Sequence, residues 1–334
     1  MKAYEIHSDR QGIDALTLVE RPEPTLQTGQ VLVKMYAASL NFRDIQVLRG
    51  TYGVQPNVPL SDGAGEVVAV AEGVTRWQVG NRVAGIFRQS HISGELTLEK
   101  NNSGLGGELD GVLAELVVFD EQGLVSVPEH LSYEEAATLP CAAVTAWNAL
   151  VVEGQLKAGD TVLLLGTGGV SIFALQFAKQ MGAKVIITSS SNEKLQQAEA
   201  LGADIGINYK TTPNWDEKVT VLTEGRGVDN VIELGGSATL AQSLKAVRFS
   251  GTVVIIGVIN GIKGEIDITS ILGKHVKVQG ISVGSRDSFE DMNRAISQQQ
   301  MHPIIDRVFP FDKAKEALAY LESGAHFGKV VITI

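Results

Sequence analysis

Hydrophobic and polar residues follow one pattern in the first third of the chain and a different one beyond it. In the first third, short apolar runs rich in β-branched residues are separated by breaks that contain glycine or proline. This pattern is typical of β-strands joined by turns. It predicts strands over Gln30–Ala38, Gly65–Ala71, Val83–Phe87 and Val112–Phe119.

From about Ser132 onward, buried apolar strands alternate with amphipathic helices, and this alternation predicts a doubly wound parallel sheet. The predicted strands are Thr161–Leu165, Lys184–Thr188, Asp204–Ile207, Val228–Leu234, Thr252–Gly257 and His275–Ile281. The predicted helices are Tyr133–Leu139, Val144–Val152, Val170–Gln180, Glu193–Leu201, Asp216–Thr223 and Thr239–Val247. A last helix, Lys313–Ser323, and a last strand, Lys329–Ile334, are able to return to the first domain.

One segment of the first third, Arg88–Asp110, is polar and rich in glycine, serine and asparagine. We interpret it as a long surface loop or lobe. Together with Gly50–Asn57 and Ile281–Arg286, it is expected to contain the determinants of substrate choice.

Composition and charge exclude several classes of protein. The 334 residues include 28 Lys and Arg against 38 Asp and Glu, a net charge of −10, so we expect no nucleic-acid partner. Apolar stretches such as Val253–Gly257 are too short to span a membrane, and Met1–Ile6 lacks the apolar core of a signal peptide. A single cysteine, Cys141, excludes an intrachain disulfide. We therefore expect a cytoplasmic protein with no membrane partner.

Glycine is over-represented, with 36 residues, and part of the surplus falls in one loop. The strand Thr161–Leu165 leads into Gly166, Gly168 and Gly169, and Val170 follows in a predicted helix. Such glycines permit a sharp turn and let backbone N–H groups at a helix N-terminus approach a pyrophosphate. In this strand–loop–helix context the pattern predicts a dinucleotide site. The alternative is a tight turn with no ligand.

The end of the second strand of this unit bears on the choice between NAD and NADP. An NAD site usually places Asp or Glu there, whereas this chain has neutral hydroxyls at Ser189 and Ser190. Without the carboxylate a 2′-phosphate is not repelled, and Lys194 in the next helix adds positive charge. The pattern therefore favours NADP(H). The alternative is that Ser191 or Asn192 only caps the helix and that Lys194 is solvated.

Two later strand ends also carry glycine, at Gly235 and Gly236 and at Gly257, which Val258 follows. Ligands bind at the carboxyl ends of the strands of a doubly wound sheet, and glycine lets the backbone approach them closely. We therefore assign Gly235, Gly257 and Val258 to the cofactor site, with ordinary turns as the alternative.

A set of short motifs is spread over essentially the whole chain in a specific order. They are Asn41–Asp44, Leu60–Val68, Leu139–Cys141 with Thr145–Trp147, Gly166–Ser171, Leu201–Asp204 with Ile207–Tyr209, and Gly328–Val331. Together they resemble the medium-chain dehydrogenase/reductase superfamily, and most closely its zinc-independent quinone oxidoreductase and enoyl reductase branches.

The resemblance implies an α/β protein in which a Rossmann domain, a doubly wound parallel sheet, is combined with a GroES-like β-rich catalytic domain. We expect the catalytic domain at residues 1–128, the Rossmann cofactor-binding domain at 129–302, and a return of 303–334 to the catalytic domain. The resemblance further implies an active site in the cleft between the domains and a homodimer.

Zinc-containing members of this family bind their catalytic metal through Cys, His and Cys. Matching the motifs places Asn41, Ser61 and Cys141 at these positions, and neutral Asn and Ser are poor zinc ligands, so we expect no metal. Cys141 is then a small core residue. Glycines stand where such relatives have the cysteines of a second, structural zinc: Gly104, Gly106, Gly107 and Gly111.

Without a metal ion, reduction of a conjugated carbonyl requires a hydrogen-bond donor for the enolate oxygen. The resemblance places Tyr52 at the position of the tyrosine proposed for this role in enoyl reductases; a pocket wall is the alternative. Asn41 is expected to bind substrate or nicotinamide ribose, or else to cap a short helix. Asp44 is expected to orient its neighbours through hydrogen bonds, or else to be a solvated carboxylate or a helix-start residue. We interpret Arg43, between them, as a surface charge.

Two further cofactor contacts rest on the resemblance. Thr145 is similar to the family's threonine near the nicotinamide, although a threonine inside a helix needs no such role. Tyr209 matches a position that flanks the adenosine 2′-phosphate, although it is also able simply to end a strand.

The leading hypothesis is an NADPH-dependent reductase of quinones, enones or 2-enoyl substrates. A second hypothesis is an alcohol or aldehyde oxidoreductase, which would act directly on the carbonyl carbon. A third is an NADPH-binding protein that retains the fold without turnover.

Overall fold

The computed structural model describes residues 1–7 and 9–334. Two compact units are formed, the first by Met1–Val144 with Val283–Ile334 and the second by Thr145–Ser282. The chain therefore leaves the first unit once and returns to it. The first unit therefore extends to residue 144, beyond the predicted boundary at 128/129, because Tyr133–Ala137 packs on its strands. It resumes at residue 283, before the predicted boundary at 302/303, because Arg286–Gln299 also packs on one of its strands.

In chain order the described strands are β1 (Lys2–Ile6), β2 (Leu16–Glu20), β3 (Gln30–Ser39), β4 (Asp62–Val70), β5 (Arg82–Gly85), β6 (Leu116–Asp120), β7 (Leu124–Ser126), β8 (Thr161–Leu165), β9 (Lys184–Ser189), β10 (Ile205–Asn208), β11 (Val228–Glu233), β12 (Val247–Ile255), β13 (Lys277–Gly280), β14 (Ile305–Pro310) and β15 (Lys329–Thr333).

The described α-helices are α1 (Phe42–Leu48), α2 (Leu98–Asn101), α3 (Tyr133–Ala137), α4 (Val144–Trp147), α5 (Gly169–Gln180), α6 (Asn192–Ala200), α7 (Trp215–Leu222), α8 (Leu240–Ala246), α9 (Ile268–Lys274), α10 (Arg286–Gln299) and α11 (Ala314–Glu322). No helix among these residues has the length and apolar character needed to cross a membrane.

The first unit is built on a sheet with the strand order β14-β15-β3-β4-β5-β7, in which β6 also pairs with β3. Val31, Val33 and Met35 alternate with more exposed residues along β3, because successive side chains of a strand point to opposite faces. Their face packs in an apolar core with α1 and α11. The C-terminal strand β15 pairs antiparallel with β3 and so completes this sheet.

The second unit is a parallel sheet with the strand order β10-β9-β8-β11-β12-β13. The predicted doubly wound parallel sheet is confirmed, and β8 occupies its predicted range. Strand β8 lies between β9 and β11, so the order reverses direction beside it. Ligands of such sheets bind at the carboxyl ends of the strands near this point.

The structure differs from the sequence expectations in several places. Strands β1, β2, β7 and β14 and helix α9 were not predicted. The predicted helix Val144–Val152 is an α-helical turn between two π-helical segments, Leu139–Ala143 and Asn148–Glu153, whose wider turns an apolar pattern does not reveal. Helix α10 was not predicted, although Phe289, Met292 and Ile296 are buried at helical spacing. The segment interpreted as a surface lobe contains α2 and several buried residues.

Candidate functional site

In the first unit, Asn41 and Asp44 hold the start of α1 together. Asn41 is in an extended conformation, and its backbone N–H donates to Asp44 Oδ2 at 2.7 Å. The Asp44 N–H donates in turn to the Asn41 carbonyl at 3.0 Å. Asp44 is only 1% exposed, so the interpretation of this residue as a solvated carboxylate is wrong.

Burial also changes the acidity of Asp44. Loss of solvent raises the pKa of this carboxyl to about 6, and the nearby carboxylate of Asp62 acts in the same direction. Arg43, the Asn41 N–H and Lys329 oppose the rise in pKa, since each stabilises the charged form.

The interpretation of Arg43 as a surface charge is also wrong, since this side chain is 8% exposed. Its guanidinium lies 3.4 Å from Asp44 Oδ1 and donates to the carbonyls of Leu105 and Gly106 at 3.2 and 2.9 Å. Burial lowers the pKa of Arg43, but Asp44 and Tyr52 outweigh this effect and raise it.

Tyr52 lies beside this buried guanidinium. The centre of its ring is 4.8 Å from Arg43 Cζ, while the residue as a whole remains 40% exposed. Tyr52 is therefore supported on one side by the protein and accessible to a ligand, which fits a hydrogen-bond donor and a pocket wall equally well.

The three positions matched to zinc ligands take part in an internal network. Lys329 Nζ donates to Asn41 Oδ1 at 2.7 Å and to the Leu40 carbonyl at 2.6 Å. Ser61 Oγ donates to Asp62 Oδ1 at 2.7 Å, and the backbone N–H of Cys141 donates to Asp62 Oδ2 at 3.1 Å.

This network does not suit a zinc ion. Burial, together with the Asp62 carboxylate, raises the pKa of the Cys141 thiol to about 12, so this position presents a neutral thiol. Lys329 brings a positive charge to within hydrogen-bond distance of the Asn41 oxygen, where it would repel a dication. The donors present therefore do not fit the metal.

In the second unit, the glycine loop connects β8 to α5. Gly166 has φ +78°, a conformation that glycine adopts without strain, and its N–H donates to Thr188 Oγ1 on β9. Helix α5 begins at Gly169, and its first i→i−4 bond runs from Ile172 N to the Gly168 carbonyl. The amides of Gly169 and Val170 precede that bond, as a phosphate site at a helix N-terminus requires.

The tip of β9 is occupied by serine hydroxyls. Ser189 is buried and accepts a hydrogen bond from the Ser191 N–H, while Ser190 is half-buried. Ser191 caps α6 by accepting from the Lys194 N–H and donates to Glu193 Oε2 at 2.5 Å, which lowers the pKa of Glu193. The structure thus places a carboxylate and a lysine next to each other at this tip.

Tyr209 and Thr145 occupy contrasting positions. The Tyr209 N–H donates to the Ser189 carbonyl at 3.0 Å, so the structure brings Tyr209, Ser189 and the start of α6 together at one edge of the sheet. The Tyr209 side chain is exposed. Thr145 is buried in α4.

Sequence reasoning missed Glu233, the last residue of β11. This buried carboxylate accepts from the N–H groups of Gly235 and Gly236 at 2.7 and 3.0 Å and from Thr239 Oγ1 at 2.5 Å, and it also accepts from Ser243 Oγ. It therefore fixes the loop that contains Gly235. A glutamate at a buried strand end, followed by two glycines and by hydroxyl residues, was the available signal.

The loops after β11 and β12 contact each other. The Asn260 N–H donates to the Gly235 carbonyl at 2.8 Å, and the Ser237 N–H donates to the Gly261 carbonyl at 3.0 Å. The backbone at Gly257 lies so close to Leu234 that a methyl group there would come within 2.6 Å of its carbonyl oxygen. Val258, which follows, is exposed.

Two family models match the chain. Residues 27–129 match the alcohol dehydrogenase GroES-like domain, and residues 169–298 match the zinc-binding dehydrogenase domain. A zinc-type alcohol dehydrogenase-like protein of Schizosaccharomyces pombe is 45% identical, with 99% of each chain covered. The crystal structure of a putative alcohol dehydrogenase from Sinorhizobium meliloti is 43% identical, with a TM-score of 0.94 and with 100% of this chain and 98% of that chain covered.

More distant solved structures differ in substrate and cofactor. An NAD-dependent alcohol dehydrogenase is 32% identical with a TM-score of 0.91, and both chains are covered completely. A 2-octenoyl-CoA carboxylase reductase in complex with NADP is 27% identical with a TM-score of 0.90, and 99% of this chain and 87% of that chain are covered.

Proposed function

This chain belongs to the medium-chain dehydrogenase/reductase superfamily, and we propose that within it the protein is an NADPH-dependent, zinc-independent reductase of conjugated carbonyl compounds such as enones and quinones. It is an NAD(P)H-dependent oxidoreductase. The observation that carries the narrower proposal is the network at the three positions matched to zinc ligands, where Lys329 donates to the Asn41 oxygen and Asp62 accepts from Ser61 and from the Cys141 backbone. We assign Tyr52, which is exposed and lies beside the buried Arg43 guanidinium, as the hydrogen-bond donor that acts in place of a metal.

The proposed chemistry needs a group that stabilises negative charge on the carbonyl oxygen. When bound, the reduced nicotinamide supplies a hydride, which is delivered to the β-carbon of the substrate. Tyr52 donates a hydrogen bond to the oxygen on which the enolate charge develops, and a proton from solvent then reaches the α-carbon to complete the saturated carbonyl. Arg43 contributes a positive charge beside the ring, and Asn41 and Asp44 hold the start of α1, the helix that carries Arg43.

Zinc independence is supported by the donor set. The Asn41 oxygen accepts from Lys329, the Ser61 hydroxyl donates to Asp62, and the high pKa keeps the Cys141 thiol protonated at neutral pH. A Lewis acid would have to displace each of these interactions.

The preference for NADPH is supported by the tip of β9. Ser189 and Ser190 stand at the end of β9, where an NAD site usually has Asp or Glu, and Lys194 lies in the first turn of α6. The Glu193 carboxylate beside Lys194 belongs to the helix and accepts from the Ser191 hydroxyl. Tyr209 lies next to this tip through its bond to Ser189. We propose that these residues contact the adenosine 2′-phosphate, while Gly166, Gly168, Gly169 and Val170 bind the pyrophosphate. We further assign Thr145, Gly235, Gly257 and Val258 to the nicotinamide end.

A homodimer is supported by exposed apolar side chains in the second unit. Ile262 and Leu272 are 81% and 73% exposed, and Ile259 and Ile268 are also exposed in this stretch of chain. Exposed apolar patches are typical of interfaces, and we propose that these side chains form one. Ile262→Glu with Leu272→Glu should convert a dimer to a monomer in light scattering, and Val221→Glu, an equally exposed position on α7, should not.

A cytoplasmic location and the domain boundaries at 128/129 and 302/303 are further proposals. Cys141 is a free, half-buried thiol, which suits a reducing compartment. The first boundary is supported by the GroES-like family match, which ends at residue 129.

The proposed activity is tested by NADPH and NADH oxidation with a panel of enones, quinones and saturated aldehydes. We expect turnover of the enone and quinone with NADPH, and kcat/KM at least tenfold lower with NADH or with the aldehyde. Turnover of the aldehyde alone would favour the alcohol dehydrogenase hypothesis. Tight NADPH binding without turnover of any compound would favour the binding protein.

A further inference from the structure

Arg43 contacts its neighbour Asp44 and three other segments of the first unit. Its guanidinium pairs with Asp44 on α1 and bonds the carbonyls of Leu105 and Gly106. The same group lies 4.8 Å from the ring centre of Tyr52 and 5.2 Å from that of Phe87.

These contacts combine hydrogen bonds with cation–π contacts. The N–H groups of the guanidinium donate to carbonyl and carboxylate oxygens, and two aromatic rings have their centres within 5.2 Å of its central carbon. A planar, rigid fork of this kind fixes the orientation of its partners, which a lysine ammonium on a flexible stem does not do. Because the group is 8% exposed, solvent does not compete for these bonds.

The glycines of residues 104–107 allow the backbone to reach Arg43. A methyl group at Gly107 would come within 2.9 Å of Arg43 Nη2, and one at Gly106 would come within 2.7 Å of the Leu60 backbone. Gly106 also has φ +57°. Glycine at these positions therefore lets the backbone approach Arg43 and the backbone of Leu60 closely.

We propose that Arg43 is a positioning residue that holds the Tyr52 ring in its catalytic place and anchors the backbone of residues 105–106 to α1. The positioning of Tyr52 rests on the proposed function, whereas the anchoring of residues 105–106 to α1 does not.

Arg82 provides a matched control in the same unit. Its guanidinium stacks 4.6 Å from the ring centre of Tyr133 and donates to the carbonyls of Glu129 and Leu131. It thus makes the same types of contact as Arg43, around a tyrosine to which no catalytic role is assigned.

The experiment places Arg43→Met, Arg43→Lys and Arg82→Met in the wild-type and the Tyr52→Phe backgrounds, with kcat and KM for NADPH and a 2-enone measured for each protein. In the wild-type background we expect Arg43→Met to lower kcat at least tenfold, with the KM for NADPH within twofold. In the Tyr52→Phe background the same change should lower kcat less than twofold. Arg43→Lys should resemble Arg43→Met, because it retains the charge but not the fork.

Equal losses in both backgrounds, or recovery of kcat by Arg43→Lys, would overturn the positioning role. Hydrogen–deuterium exchange provides a readout that does not require turnover. Arg43→Met should speed exchange in peptides covering residues 50–57 and 104–107, and Arg82→Met should not. Unchanged exchange would overturn the anchoring, whereas faster exchange in a protein that reduces no enone would support it and would reject the proposed function alone.

Discussion

The two units build their candidate sites from different parts of the polypeptide. In the second unit the site consists mainly of backbone, with glycines at three strand ends and a buried glutamate, Glu233, that fixes one of the loops. In the first unit it consists of buried charged side chains, among them Arg43, Asp44 and Lys329. The backbone site depends on local conformation, whereas the side-chain site depends on contacts between segments distant in sequence.

The largest effect is expected where the backbone itself is changed. Gly236 has φ +79°, and a methyl group there would overlap the Gly261 carbonyl oxygen and lie 2.8 Å from Val258 Cα. Gly236→Ala should therefore destabilise the second unit by about 3 kcal/mol and weaken NADPH binding at least tenfold. Chemical denaturation and NADPH titration measure both quantities. Gly273→Ala, in α9 with open space around it, is the control. It should leave NADPH binding unchanged and should not destabilise the protein, since alanine is the better helix former.

The second-largest effect is expected on substitution of Glu233, whose side chain fixes the glycine loop after β11. Glu233→Gln replaces an acceptor oxygen by an amide that faces N–H or O–H donors, so we expect a loss of about 2 kcal/mol in the free energy of unfolding. The Kd for NADPH should rise, while Glu265→Gln at an exposed position should leave both unchanged. An unaltered Kd would show that the loop after β11 is not part of the cofactor site.

A smaller effect is expected at the edge of the second unit. Lys194→Gln should raise the KM for NADPH about tenfold and leave the KM for NADH unchanged, because only NADPH carries the 2′-phosphate. Lys218→Gln, a lysine on α7, serves as the control. An equal effect of Lys194→Gln on both cofactors would contradict the NADPH assignment.

The smallest effects are expected from two carboxylates, Asp44 in the first unit and Asp229 in the second. Their contributions to stability should depend on pH in opposite directions. Burial raises the pKa of Asp44 to about 6, so the folded state holds its proton more tightly and this residue contributes less stability as pH rises from about 4 through 6. Arg226 and Arg248 lower the pKa of Asp229 to about 2 against the effect of burial, so its contribution is lost as pH falls from about 4 to 2.

Because its partner Arg226 is exposed to solvent, the contribution of Asp229 to the free energy of unfolding should be limited to about 1 kcal/mol. Hydrogen exchange of peptides covering 41–48 and 228–233 across this pH range measures the two opposite slopes. Asp44→Asn and Asp229→Asn should each remove one slope, and slopes of the same sign would refute the contrast.

The same contrast explains what the sequence was able to predict. The loop from Gly166 to Gly169 could be recognised because its strand, glycines and helix are consecutive, and the doubly wound sheet is confirmed. The burial of Arg43 could not be recognised, because it depends on carbonyls 62 and 63 residues away. Its charge alone suggested solvent exposure. The role of Lys329 likewise depends on the pairing of β15 with β3, which brings it to Asn41 from the far end of the chain.

We propose that the hydride goes to the β-carbon of a conjugated carbonyl without a metal ion. The most direct test is to supply NADPH deuterated at the transferred position to chelator-treated protein with a 2-enone, and to locate the deuterium by NMR. We predict a saturated ketone that carries deuterium at the β-carbon, formed at the same rate as before chelation. An allylic alcohol with deuterium at the carbonyl carbon, or activity that is lost on chelation and restored by zinc, would contradict the account.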